Sequence, residues 1–220
     1  VLGTETSTLD ASGEVTAVHD MSAVDPDQVV AAARAFVGVI QQVPPMVSAV
    51  RVGGRRLHEI AREGGEVERN PRTVTVHRFD VAPGDKQGTY DIAVACSSGT
   101  YIRTLAADLG TALGGGAHLC DLRRTSIGAV NEVEARPVET PILLPMTEAV
   151  RDLGGVHVDE ATAVDVSFGR PLDLDRLGVE PGSTEVGPWP VHGPDGALLA
   201  VYEPHRGGAK PAVVLAPVVS

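Results

Sequence analysis

The 220-residue sequence predicts an α+β fold: a mixed, mostly antiparallel sheet with flanking helices, followed by a small β-rich C-terminal unit. Three observations carry this. Strand-like stretches outnumber helical ones and succeed one another in hairpin order, which opposes a doubly wound sheet. Tyr90 to Cys96 alternates large apolar residues (Tyr90, Ile92, Val94, Cys96) with Asp91, Ala93 and Ala95, the period of a half-buried strand. Ser97-Ser98-Gly99 breaks that period and a helical one follows. Finally, Pro and Leu cluster from Pro137 to Pro145, a domain boundary beyond which short strands recur.

Taken in order, Thr4 to Gly13 is small, polar and turn-rich and reads as a loop, and Glu14 to His19 as a short strand. Asp25-Pro26-Asp27-Gln28 opens a helix: Asp caps, Pro has the preset φ of the first turn, and Gln reaches back. That helix should turn Val29, Val30, Ala33, Phe36 and Val37 inward and end near Gly38. Pro44-Pro45 forces extended backbone. Met46 to Val52 then reads as a strand closed by Gly53-Gly54, and Arg56 to Glu63 as a helix burying Leu57, Ile60 and Ala61. Thr73 to Val81 is strand-like, and Pro83 to Gly88 turns into the Tyr90–Cys96 strand. In the helix after it, Ile102, Leu105, Ala106, Leu109 and Leu113 share one face, with Thr100 as cap and Gly110 or Gly114 as stop. Gly114 to Gly116 is a loop, and Leu119 to Ile127 is expected to return as a strand. Past the boundary, strands are expected around 163–168, 190–192, 198–202 and 212–215, with Gly193-Pro194-Asp195-Gly196 as a hairpin turn.

One residue sits badly in this scheme. Arg103 falls in the first turn of its helix, where the peptide dipoles already present positive charge. A cation there costs about 0.3–1 kcal/mol unless something negative faces it. Either it snorkels to solvent or it serves a carboxylate or phosphate partner.

Composition narrows the function. No apolar run approaches the length of a membrane span, and two cysteines, Cys96 and Cys120, are too few for a disulfide scaffold. They read as buried small hydrophobes in a reduced, cytoplasmic setting. The histidines are scattered without zinc spacing, and His118, after three glycines, reads as a hydrogen-bonder in a turn or core. A net charge of −11 argues against a simple nucleic-acid binder. The charge is uneven, however. From Arg51 to Arg78 there are seven arginines (51, 55, 56, 62, 69, 72, 78) against four glutamates (59, 63, 66, 68), either a solvated mixed face or an RNA-facing surface.

Several segments together resemble the bacterial tRNA pseudouridine synthase B family. They are Phe36 to Met46 (FVGVIQQVPPM), Ser48-Ala49-Val50, Ala61-Arg62-Glu63-Gly64, Val67-Glu68-Arg69, Cys96-Ser97 with Gly99 to Thr104 (GTYIRT), Gly116-Ala117-His118, and Leu122-Arg123-Arg124-Thr125. Order and spacing hold over about residues 1–130, and the tail more loosely resembles the family's PUA-like domain. The resemblance implies a pseudouridine synthase fold, with residues 1–140 as the C-terminal portion of a catalytic domain and 141–220 as a PUA-like RNA-binding domain. It implies isomerisation of a T-loop uridine (position 55) of tRNA, with no metal and no organic cofactor, by a cytoplasmic monomer whose partner is the tRNA T-arm. An Asp works at the sugar's anomeric carbon, and the family's active-site Arg corresponds to Arg103.

By the same resemblance, Asp10 takes the supporting role of the Asp that pairs that Arg, the alternative being a turn-forming Asp. Tyr101 and Leu122 shape the base pocket, with a core aromatic as the alternative for Tyr101. Arg55, Arg56, Arg123 and Arg124 are substrate-binding candidates, and at least one of Arg123 and Arg124 must face outward. Three positions depart from the family pattern: Val47 and His58 stand where Tyr is usual, and Ser98 where Lys is common. The family's Gly-His-x-Gly-x-Leu-Asp-Pro motif, which carries the nucleophilic Asp, is not in residues 1–220. Val1-Leu2-Gly3-Thr4 is therefore expected to continue a longer chain, and residues 1–220 alone to be inactive. A non-catalytic RNA-binding or tRNA-folding protein of the same fold is the alternative function.

Overall fold

The computed structural model describes residues 1–48, 50–65, 67–180 and 186–215. Ala49 of the expected 46–52 strand, Glu66 of the arginine-rich stretch and the side chain of His58 lie outside the described residues. The chain divides into two compact units, residues 1–123 and 124–220.

The first unit opens with a hairpin, β1 (Thr4–Thr6) against β2 (Val15–Val18). The first strand lies inside the stretch expected to be loop: three small polar residues pair because the turn-rich segment after them folds them back on Val15 to Val18. Helix α1 (Pro26–Arg34) starts on the expected capping box. The Gln28 amide N–H donates to Asp25 Oδ1 (2.8 Å) and the Asp25 N–H to Gln28 Oε1 (2.9 Å). Val29 and Ala33 are buried, but Val37 is exposed because the helix stops three residues before it.

Gly38 instead begins β3 (Gly38–Gln42), which local patterning did not reveal. A tight hairpin, β4 (Arg51–Val52) and β5 (Arg55–Arg56), turns at Gly53-Gly54 and runs into α2 (Leu57–Arg62). Among the described residues of the expected 46–52 strand, Arg51 and Val52 alone pair as a strand. Long β6 (Arg72–Pro83) lies between β3 and β7 (Tyr90–Cys96) in an antiparallel sheet. A bulge between Val76 and Arg78 shifts the alternation, so Phe79 joins Val74 and Val76 as a buried residue of this strand.

Helix α3 (Ile102–Ala112) lays Leu105 and Leu109 onto the core of Val29, Ala33, Val76 and Phe79, where Phe36 meets Phe79 edge-on. Gly110 does not stop it. That glycine is needed because a Cβ there would lie 2.5 Å from Ala117 N, and the helix ends where Gly114 takes φ +85°. Thr100 is not the cap either; Tyr101 is, since the Thr100 hydroxyl donates to the Ser97 carbonyl (2.9 Å).

The expected strand from Leu119 to Ile127 does not form. Leu119 bridges to Asp10 and the chain then leaves the sheet, with residues 121–125 exposed. Three charges in five residues leave no apolar face to bury. Cys120 is accordingly exposed rather than buried, and Cys96 is half-buried.

The second unit begins with a tight hairpin, β8 (Ser126–Ile127) and β9 (Val130–Asn131). Its sheet comprises β10 (Val156–His157), β11 (Trp189–His192), β12 (Leu198–His205) and β13 (Gly208–Val214). The strands are adjacent in that order; β10 and β11 are parallel and the other pairs antiparallel. The expected turn at Gly193 to Gly196 is present, the Gly193 N–H donating to Ala197 O (2.9 Å). Residues 163–168 are not a strand. Residues 163–167 belong to α4 (Glu160–Ser167) and Phe168 is its C-cap; Asp159 caps the start, its carboxylate accepting from Thr162 N (2.7 Å). The alternation of Val164, Val166 and Phe168 imitates a strand, yet only Val166 is buried. Val166 packs with Leu172, Leu177, Trp189, Val191 and Tyr202 in this unit's own core.

Candidate functional site

The chemistry-bearing residues converge where β7 hands over to α3. Arg103 lies in the first turn of α3, which contains no acidic residue. Its guanidinium does not escape to solvent: the side chain is 24% exposed and Nη1 donates to Asp10 Oδ2 at 2.8 Å. Nη1 also donates to Thr8 O (3.3 Å) and Nη2 to Val47 O (2.7 Å). The misplaced cation thus has a carboxylate partner 93 residues earlier in the chain. Nε–H and one Nη2–H keep no partner among the described residues, so two of five donors stay open.

Asp10 is built to stay ionised. Burial works against its charge, but hydrogen bonds from the Ser12 and Thr8 hydroxyls, the Ser12 N–H and Arg103 outweigh it and hold its carboxyl down at about 2. The turn that presents it is strained: Leu9 sits at φ +62°, a left-handed conformation that costs a non-glycine residue about 1–2 kcal/mol. The parallel bridge of Asp10 to Leu119, with Leu119 N donating to Leu9 O (3.0 Å), holds that turn in place.

Tyr101, two residues before Arg103, is half-buried, and its backbone is held by the buried amide of Gln42. Ser97 continues the β6–β7 pairing past the strand end, its N–H donating to Thr75 O (2.8 Å) and its hydroxyl accepting from Thr75 N (2.9 Å). Helix α3 therefore starts from a rigid platform.

The other candidates are more exposed. Arg55 and Arg56 stand on β5; Arg55 pairs with Glu63 (2.6 Å) and the Arg56 N–H donates to Glu59 Oε2 (3.1 Å). Leu122 is 57% exposed, Arg123 follows it on the same exposed stretch, and Arg124 opens the second unit. His118 is a hydrogen-bonder, as read, its Nδ1 2.9 Å from Thr4 O. Among the described residues no group of three His, Cys, Asp or Glu side chains could hold a metal ion, and no helix is long and apolar enough to cross a membrane.

Sequence reasoning missed Thr8, Ser12, Val47 and Gln42 as parts of this site. Val47 contributes only a carbonyl, invisible in any side-chain pattern. Gln42 follows a second glutamine, Gln41, and nothing in the local pattern tells the buried one from the exposed one.

Comparison with known proteins agrees with this architecture. The Cbf5 chain of a "Cbf5-Nop10-Gar1 Complex" crystal structure superposes with a TM-score of 0.66 over 89% of this chain at 24% identity, which speaks for the fold; this chain spans 63% of its length, just under two thirds. Residues 1–102 match "TruB family pseudouridylate synthase (N terminal domain)", 103–140 "tRNA pseudouridylate synthase B C-terminal domain" and 155–216 "tRNA Pseudouridine synthase II, C terminal". The tRNA pseudouridine synthase B of Arthrobacter sp. (strain FB24) is 41% identical over 98% of this chain and 74% of its own length. That of Corynebacterium aurimucosum is 48% identical over 78% of this chain and 61% of its own. The chain belongs to the TruB family of pseudouridylate synthases.

Proposed function

We propose that this chain carries the arginine half of the active site of a tRNA pseudouridine synthase acting on the T-loop uridine at position 55. The single observation that supports this most is Arg103. It is anchored on Asp10, Thr8 and Val47 yet keeps two donors open beside a half-buried Tyr101. In the reaction the N1–C1′ bond breaks, the uracil turns, C5 bonds to C1′, the C5 proton leaves, and N1 takes up a proton from solvent, so that composition is conserved. A carboxylate working at C1′ needs a fixed cation to hold it ionised and aimed, and the open donors of Arg103 fit that need. Asp10 is a supporting residue in this scheme. Its carboxylate is saturated by Ser12, Thr8 and Arg103, which leaves it a poor nucleophile. Tyr101 and Leu122 offer stacking and apolar contact to an extruded base, and Arg55, Arg56, Arg123 and Arg124 offer phosphate contacts.

Residues 1–140 are assigned to catalysis and 141–220 to a PUA-like RNA-binding module of a monomeric, cytoplasmic, cofactor-free enzyme whose partner is the tRNA T-arm. In the family the nucleophilic Asp belongs to the Gly-His-x-Gly-x-Leu-Asp-Pro motif, which is not among residues 1–220, so the test uses an enzyme that includes it. Tritium release from tRNA labelled at uracil C5 measures the reaction. Arg103→Ala should severely lower the rate of release while tRNA affinity changes only modestly. A variant that releases tritium normally but binds tRNA weakly would make Arg103 a phosphate clamp. No release by the intact enzyme, with tight tRNA binding, would favour the non-catalytic RNA-binding alternative.

A further inference from the structure

The geometry points to Gln42 as a positioning residue for Tyr101 and Arg103, acting through the backbone at the start of α3. The inference rests on the role of Arg103 proposed above. Gln42 ends β3 and is 1% exposed, one of the few fully buried polar side chains of this unit. Its Oε1 accepts from Tyr101 N at 2.7 Å and its Nε2 donates to Tyr101 O at 3.1 Å. One side-chain amide thus engages both backbone groups of a single residue 59 positions away, as a neighbouring strand would.

The helix start has no other such hold. Its cap, Tyr101, makes no side-chain cap bond, and the Thr100 hydroxyl is turned to Ser97. The chain after Gln42 reinforces the hold. Pro44 is buried, its carbonyl accepts from Arg69 Nη1 (3.1 Å), and the Val47 carbonyl takes Arg103 Nη2 (2.7 Å). Residues 42–47 therefore touch α3 twice, at the peptide of residue 101 and at the guanidinium of residue 103.

Burying a primary amide is unfavourable unless its groups are paired. An apolar residue at position 42 would fill the same space at lower cost, but it would leave the peptide of residue 101 without the two bonds that tie it to β3. Misplacement of a reacting constellation by about 1 Å costs roughly 100-fold in rate. That is the effect Gln42 prevents.

Gln42→Met keeps length and volume and removes both bonds; Gln42→Glu keeps the acceptor and loses the donor. In the intact enzyme, each should lower the single-turnover rate by about 10- to 100-fold with tRNA affinity within about threefold of wild type. The readout that a merely structural role would not move is coupling. In an Arg103→Lys background, Gln42→Met should cost less than about threefold further, because its effect is already spent. A full-rate Gln42→Met enzyme with a lowered melting temperature overturns the proposal, as does a rate loss that multiplies fully onto that of Arg103→Lys. Should Gln42→Met not fold, Gln42→Glu decides by the same two measurements. An Arg103→Ala enzyme at full rate would sink the reading of Arg103 itself, whatever the Gln42 variants do.

Discussion

The two units spend their arginines differently. Residues 1–123 carry 11 Lys and Arg against 15 Asp and Glu, and residues 124–220 carry 7 against 14. In the second unit most cations are already paired. Arg151 lies between Glu134 and Glu148, Asp165 holds both Arg170 and Arg176, and Lys210 meets Glu203. These pairs lie at the surface, where solvent screens them, and hold loops and strands of their own unit together. In the first unit seven arginines crowd into residues 51–78, and Arg103 is pinned at one end while two donors stay open. The lesson is that a count of positive residues says little; what matters is how many of their donors groups of the same unit have already taken, and Arg103, though paired with Asp10, keeps two.

Four experiments break or sharpen this contrast. The largest effect belongs to Arg103: removing such a group should lower the tritium-release rate of the intact enzyme by about 100- to 1000-fold or more. Arg170→Ala, which takes away a cation paired within the second unit, should leave that rate unchanged. Equal losses from both variants would erase the distinction between a working arginine and a structural one.

Next comes the core. Leu105→Ala empties a fully buried position on α3, and denaturant titration should show a loss of about 2–5 kcal/mol. Leu143→Ala, at a residue 99% exposed in the second unit, should stay within about 0.5 kcal/mol.

Salt dependence of tRNA binding tests the surface argument. Arg55→Ala with Arg56→Ala should reduce the slope of log K against log salt by about 0.7–0.9 per lost phosphate contact. Arg206→Ala with Lys210→Ala, in the unit proposed as the RNA-binding module and with Lys210 already paired to Glu203, should lower the slope by less. The reverse pattern would move the electrostatic footprint to the C-terminal unit.

The smallest effect is a pH signature of Asp10. Its carboxyl is held at about 2 in the folded chain against 3.8 for the ordinary group, so the folded state favours the ionised form. That stabilisation is complete above pH about 4 and is lost as pH falls through about 2. Asp10→Asn should remove this part of the acid-induced loss in a pH series of melting temperatures. An unchanged acid limb would mean that the Asp10–Arg103 pair contributes nothing to stability.

Several parts of the fold were legible because their signals are local. The α1 capping box needs only four consecutive residues, the Tyr90–Cys96 strand only its own alternation, and the inward face of α3 only its own period. The arginine of the site was legible for the same kind of reason, since a cation in a first turn is a local conflict that requires an answer. Its partner was pointed to by resemblance rather than by local physics. The rest of the site failed to show because it is made of carbonyls and bridging amides. Likewise, residues 163–168 carry a strand-like alternation that Asp159, capping from outside the window, overrules.

By itself, the amino-acid order determined the α+β class, the strand-to-helix handover at Cys96 to Ile102, and the demand that Arg103 find a negative partner. Each follows from side-chain spacing along a few turns or rungs. Only the tertiary structure decided that Asp10 answers that demand, that Gly38–Gln42 becomes a strand of the main sheet, and that Gln42 holds the peptide of Tyr101. Those outcomes depend on pairings across 30 to 93 residues. Such pairings come from the joint packing of sheet and helices, which no short stretch of sequence encodes alone.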